Sequence, residues 1–449
     1  MTVQRRWLRG GLIAVGTVAA LVFVVPVVWR GYCSLGAWAR LAALGLVVAG
    51  LFIGSRYASG LFRLIGGRLA QGLLLFITFL ALVYLLLEAQ PGDITQQLIL
   101  NPKLPPEAQD IMAAQLGLDQ PLPTRVVTYT TNFFCGELGF SFSQYPQQVA
   151  HLIAERLPRT ITLFLSATVL AYFMGFGLGK VLAWRRGKRG ETAVTLAGVG
   201  MYTVFYPWFA ILMIWFFGYI LNWFPIAKFT SVDTWSNPPD INGNILTPNY
   251  VFTRLLLSAL ITTVLIVMVI SLAQRLPTER RTWPRRVGIL IVLGLLVGYW
   301  ATSVMAPYAA DILHHTMLPV ITLASVTFAG IMLLTRSSML ETLREDYILT
   351  ARAKGLTDAD VRDRHAARNA LLPVVTSLVL ALAFVISGGI ITESVFSWPG
   401  LGSQLLGATL SEDIPLATGT LGIIAVLALI GHLVADVMYM YLDPRIRYS

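Results

Sequence analysis

Charge is scarce in this chain. Asp, Glu, Lys and Arg make up 12% of its 449 residues, about half the share of an average soluble domain. With 56% hydrophobic residues and a mean hydropathy of +0.70, that scarcity excludes an ordinary water-soluble fold. Cysteine is scarcer still, at two residues. No Cys/His cluster has ligand spacing, which excludes a zinc site. The phosphate-cradling pattern GxxxxGK[ST] is missing. Its nearest approach, Gly175 to Val181 (GFGLGKV), lacks the spacing and the Ser/Thr and lies within an apolar run. The usual ATPase signature is therefore absent. HExxH is absent too, and no nucleophile elbow follows Gly330. His314 and His315 are adjacent and point to different faces of a helix, so they make a poor metal pair. The apolar runs do not alternate with polar residues, which argues against a β-barrel. No internal repeat and no low-complexity tract is visible.

What the chain has is long apolar runs. Several reach the roughly 20 residues that cross a hydrocarbon core of about 30 Å. Spans are expected near 11–29, 41–54, 69–87, 160–183, 194–221, 255–273, 287–305, 317–335, 373–392 and 416–440. With this topology 25 of the 33 Lys and Arg residues fall on one side and 8 on the other. The bias follows the positive-inside rule and puts both termini in the cytosol. The net charge of +10 is then topological. No aromatic-interleaved basic patch accompanies it, so nucleic acid is excluded as a partner. The N-terminal run is longer than a signal-peptide core and reads as a retained span. Cys33 and Cys135 both fall on the outer side, where an oxidising compartment permits a disulfide. Sequence alone sets no distance between them, and two unrelated thiols is the preferred reading.

One polar island interrupts the apolar pattern, from Asp346 to Pro373 (DYILTARAKGLTDADVRDRHAARNALLP), between apolar runs at 318–334 and 374–391. It reads as two short helices. The first covers roughly Glu341 to Ala353 and stops at Gly355, a natural left-handed position. Thr357 with Asp360 three residues on forms a helix-start signal for the second. Pro373 is expected to begin the next span, where a proline loses no needed donor. Small residues at Thr350, Ala351, Ala353 and Gly355 leave room for another surface, so protein docking is preferred over lipid-headgroup contact. In the 88–157 segment, Pro105–Leu116 reads as a short helix and Gly136–Ser143 as a loop. The segment is too small and polar for a core of its own and is expected to cap the bundle.

ARAKGL followed by RHAARNALLP resembles the cytosolic loop of ABC importer permeases, specifically the first permease of the dipeptide/oligopeptide/nickel type. EAQPGD (88–93), QLGLDQP (115–121), GELGFSFS (136–143), LIAERLP (152–158), ESVFSWPGLG (393–402) and YLDPRIR (441–447) resemble that family's further motifs in order. The chain departs from the family in three ways. Leu349 and Thr350 stand where a glutamate opens the general loop motif. About 60 residues with two spans precede the family's start, and residues 251–305 insert a further pair of spans.

The resemblance implies an all-α, polytopic transmembrane bundle: a six-span type I importer permease core plus two extra transmembrane hairpins, about ten spans. Its parts are an N-terminal hairpin at 1–60, a first core half at 61–222 and an inserted hairpin with its outer loop at 223–314. The second core half is 315–449, with coupling helices at 341–372. The implied protein is not an enzyme but a permease in a prokaryotic inner membrane, importing peptides. It binds no cofactor itself; ATP and Mg sit on two cytosolic ATP-binding subunits. Its other implied partners are a second homologous permease, an extracytoplasmic substrate-binding protein and the lipid bilayer. The implied ATPase-docking set is Tyr347, Ala351, Arg352, Ala353, Lys354, Gly355, Leu356, His365, Arg368, Asn369 and Pro373. Tyr202, Tyr206, Pro207, Ser387, Gly388, Gly389 and Glu393 are candidates along the pathway. Glu393 is expected near an outer end, meeting water, where it meets a peptide's amino group or orients the SWPGLG loop. The same motifs also fit importers of nickel complexes and other small solutes. A self-sufficient secondary transporter or channel needs paired ionisable residues at mid-membrane, and these spans hold almost none.

Overall fold

The computed structural model describes residues 29–57, 61–89, 106, 109, 113, 119–241, 244–274, 277, 282–385 and 389–442. Helix dominates. Among the described residues eight helices are long and apolar enough to cross a membrane, and a ninth segment is a sharply bent pair. The straight ones include α1 (Ala37–Tyr57), α2 (Leu61–Glu88), α4 (Val149–Trp184), α7 (Pro248–Ala273), α8 (Thr282–Thr302), α9 (Ala306–Thr342) and α15 (Ile414–Leu442). The span expected at 11–29 and the helix expected at Pro105–Leu116 lie outside the described residues, apart from Trp29 and isolated positions.

The span expected at 194–221 is two pieces: α5 (Arg189–Thr203) and α6 (Tyr206–Met213), the latter continued by a π-helical stretch at Ile214–Ile220. The pieces meet at 107°. Val204 and Phe205 are extended, and Pro207 occupies the first turn of α6, where a missing N–H costs nothing. Between Ile220 and α7 the described residues include one hairpin, β1 (Asp240–Ile241) with β2 (Asn244–Ile245). Thr247 then caps α7 by accepting from the Tyr250 amide, with Pro248 at the first helical position.

The chain forms two compact units. One comprises Met1–Leu157, Val375–Gly388 and Gln404–Ser449; the other comprises Pro158–Val374 and Gly389–Ser403. In the first, α1, α2, α15 and α3 (Leu122–Cys135) pack on one another. Phe76, Leu80 and Phe133 form its apolar centre. The end of α3 follows from its sequence: Gly136 takes φ +75°, and its amide and that of Glu137 return to the Phe133 and Asn132 carbonyls. The preference for unrelated thiols is overturned here. Cys33 and Cys135 form a disulfide with Cα atoms 5.8 Å apart; the 102 residues between them hid a proximity that only the fold creates.

In the second unit α9 packs on α5, α6 and α7. Glycines bring backbones close. A Cβ at Gly179 of α4 would lie 2.6 Å from the Met332 carbonyl oxygen of α9, and one at Gly175 would lie 2.8 Å from Ile331. A Cβ at Gly198 of α5 would overlap the terminal methyl of the flexible Met332 side chain. Met332 is fully buried. Methyl groups at Gly175 and Gly179 would press on α9 itself, an overpacking that costs roughly 1–3 kcal/mol each.

Candidate functional site

The island hangs between α9 and α12 (Ala367–Val385). It consists of α10 (Asp346–Ala353) and α11 (Asp358–Asp360), which runs through a π-helical stretch at Val361–Ala366 into α12. The first helix starts five residues later than expected, because α9 continues to Thr342 and the chain turns at 343–345. Gly355 ends it at φ +74°, as its type predicts. The helix-start signal also forms: the Thr357 hydroxyl accepts from the Asp360 amide at 3.2 Å and donates to Asp360 Oδ2 at 2.7 Å. Pro373, expected to begin a span, sits inside α12.

Packing decides which side of the island faces out. Ile348 and Ala351, three residues apart on α10, join Ala183, Met339, Val361, Ala366, Ala367 and Ala370 in one apolar cluster. Ala351 is thus an anchor of the island rather than part of its free surface. Ile348, which sequence reasoning passed over, is the second anchor. The residues turned outward are Tyr347, Arg352, Ala353, Lys354, Gly355, Leu356, Arg368, Asn369 and Pro373; His365 is half-buried. Leu349 is exposed as well, at 63%. Polar ties hold this surface in place. Asn369 Nδ2 donates to the Tyr347 hydroxyl at 2.7 Å, linking the two helices. Asp363 receives Lys180 from α4 at 2.9 Å and Arg362 at 2.7 Å. Arg352 lies over the Trp184 ring at 5.5 Å. Lys180 and Trp184 had no sequence signal, because their partners lie more than 150 residues away.

Among the described pathway candidates, Tyr206 packs in one cluster with Val395 and Phe396, beside Glu393. Ser387 and Gly388 lie outside the described residues. Tyr202 is exposed, and its ring lies 3.1 Å from where a Cβ at Gly330 would be. Tyr206 and Pro207 open α6 after the bend. Gly389 precedes α13 (Ile390–Val395), where a Cβ would approach the Phe164 ring to 2.7 Å.

Glu393 corrects its expectation of meeting water: it is fully buried. Its Oε1 accepts from the Thr160 hydroxyl at 2.8 Å and its Oε2 from the Ser403 amide at 2.9 Å. Thr160 also accepts from the Leu401 amide at 2.8 Å. A side chain at Gly400 would overlap the carboxylate, so the two glycines of PGLG let the backbone wrap it. Trp398, fully buried, donates its indole N–H to the Arg159 carbonyl at 3.2 Å. Of its two expected roles, Glu393 has the geometry of the loop organiser.

In the first unit Asp413, also fully buried, does the same for GFSFS. It accepts from the Ser141 hydroxyl, from the Ser143 amide at 2.9 Å and hydroxyl at 2.7 Å, and from the Leu416 amide at 3.2 Å. The last bond makes it the cap of α15. Sequence reasoning did not single out Asp413.

Comparison with known proteins agrees with these motifs. The profile of a family described as "binding-protein-dependent transport system inner membrane component" matches residues 168–448. The oligopeptide transport system permease protein AppB of Bacillus subtilis is 28% identical over 84% of this chain and 96% of its own length. The di/tripeptide permease protein DppB of Pseudomonas aeruginosa is 30% identical over 82% of this chain and 94% of its own. The dipeptide permease protein DppB of Escherichia coli is 30% identical over 83% and 95%.

Proposed function

The chain belongs to the binding-protein-dependent transport system inner membrane component family, and from that premise we propose that it forms the translocation pathway of a peptide importer driven by separate ATPase subunits. The observation that carries the coupling is the island. It offers an outward surface of Tyr347, Leu349 and residues 352–356, backed by an apolar cluster and tied to α4, α9 and α12. The chain itself carries no GxxxxGK[ST] site, so the energy has to arrive through such a surface. Closure of two ATPase subunits would pull on it and bias the bundle between two states.

The island then faces the cytosol, as the 25-to-8 split of basic residues supports. The Cys33–Cys135 disulfide supports the same orientation, since it belongs on the oxidising side. The GELGFSFS and SWPGLG loops lie on that outer side in this reading, where a soluble binding protein delivers peptide. Peptide as cargo is supported by the names of the relatives.

The test is reconstitution of the chain with a second permease, two ATPase chains and the binding protein in proteoliposomes. Peptide uptake is expected only with all components and ATP. Uptake that persists without the ATPase chains, driven by an ion gradient, would overturn the proposal.

A further inference from the structure

The segment at 29–57 lies ahead of the part of the chain that the family profile matches, and it is bound to the end of α3 in two ways. One is the disulfide from Cys33 to Cys135, the last residue of α3. The other is Arg40, whose side chain is only 12% exposed. Its Nη1 donates to Asn132 Oδ1 at 2.8 Å, its Nη2 donates to the Cys33 carbonyl, and Glu137 Oε2 lies 4.0 Å from Nη1. One guanidinium fork therefore joins three points of two segments, a geometry a lysine cannot copy.

Two of those points share a neighbour. Asn132 and Glu137, with Gly136, line a cavity of about 360 Å³ together with Phe140, Phe142 and Pro415. Phe140 and Phe142 lie on the loop that Asp413 grips at Ser141 and Ser143. Asn132 lies in the last turn of a helix. That helix stops at a glycine and continues directly into the GELGF loop, so its position depends on what ties it down. The body of α3 is tied to α2 through Arg125 and Glu88 at 3.0 Å; its last turn packs through Phe133 on Phe76 and Leu80 and takes its disulfide and the Arg40 bonds from 29–57.

We propose that Cys33, Cys135 and Arg40 are positioning residues: they make the 29–57 segment a covalent brace that holds the 132–142 face in the arrangement the soluble binding protein meets. This rests on the importer reading above. A brace of this kind acts by preorganisation. Without it the face samples other arrangements, and each productive encounter must first select the right one. The signature is a higher apparent KM for the binding protein with kcat unchanged, because the coupling island and its ties lie elsewhere in the chain.

The test uses the complete transporter in proteoliposomes, with peptide uptake measured against the concentration of peptide-loaded binding protein. The variants are Cys33→Ser with Cys135→Ser, Arg40→Gln and Arg40→Lys. The assembled wild type is also treated with a membrane-impermeant phosphine and then reoxidised, which avoids any failure of folding. Reduction is expected to raise KM by roughly 3–10-fold at constant kcat, and reoxidation to restore it. Arg40→Gln and Arg40→Lys should both raise KM. An unchanged KM after complete reduction, verified by thiol labelling, overturns the brace while leaving the importer reading intact. A fall in kcat alone overturns it equally. A wild type with no uptake that depends on the binding protein overturns the importer reading and the brace with it.

Discussion

Asp363 and Glu393 are carboxylates that each take one donor from a distant part of the chain and one from nearby, yet their settings are opposite. Asp363 keeps 39% of its side chain exposed and pairs with Lys180 and Arg362, two side chains that water also reaches. Glu393 is fully buried and is held by a threonine hydroxyl and a backbone amide. Asp413 repeats the Glu393 pattern with two serines and a helix start. The island is thus latched at its surface, with Tyr347, Leu349 and residues 352–356 left outward. The SWPGLG and GFSFS loops are each built around a buried carboxylate. An element that a partner must grip needs free surface, whereas a loop that must keep its shape needs an internal post.

The contrast breaks most readily at the buried posts. Glu393→Ala removes the acceptor for Thr160 and Ser403 and should destabilise the purified permease by about 2–5 kcal/mol. Thermal unfolding in detergent reads this directly, and a melting temperature equal to wild type would show that Glu393 organises nothing. Glu393→Gln keeps the volume but sets an amide N–H against a donor, so it should fall between the two. Gly400→Ala drives a methyl into the same carboxylate and should cost about 1–3 kcal/mol.

The island should respond differently. Gly355→Val places a β-branched residue at φ +74°, a local strain of about 1–2 kcal/mol. The bundle should stay folded while ATP-driven uptake is lost. Retained uptake in a variant that melts normally would detach this turn from coupling. Leu349→Asp changes an outward side chain and should leave melting unaltered while weakening ATPase-subunit co-purification. The smallest effect is expected for Lys180→Met. A partly exposed ion pair contributes about 0–1 kcal/mol, and raising salt in the wild type should reproduce whatever shift the variant shows.

How much of this was legible in sequence depends on the distance between partners. The stop at Gly355 and the Thr357–Asp360 cap are local, and both formed as read. The island's facing was misjudged at Ala351, since its cluster is completed by Ala183, Met339 and Ala370. Pro373 was read by a rule for helix starts, but the helix that holds it begins earlier and continues through it. The carboxylate posts were beyond local reading: Glu393 meets Thr160 across 233 positions and Asp413 meets Ser143 across 270. Motif matching found both loops and could not say what holds them. Cys33 and Cys135 show the same limit, since two thiols 102 residues apart carry no sign of pairing until the fold supplies it.

The glycine contacts around Met332 bear on how a force would travel. Planks that slide past one another bend easily; the same planks glued together resist as one beam. With Gly175 and Gly179 closed on Ile331, Met332 and Thr335, α4 and α9 have little room to slip. Lys180 of α4 and Met339 of α9 are also where the island is fastened. A pull on the island would therefore load two joined helices, as on a laminated beam, rather than a single one.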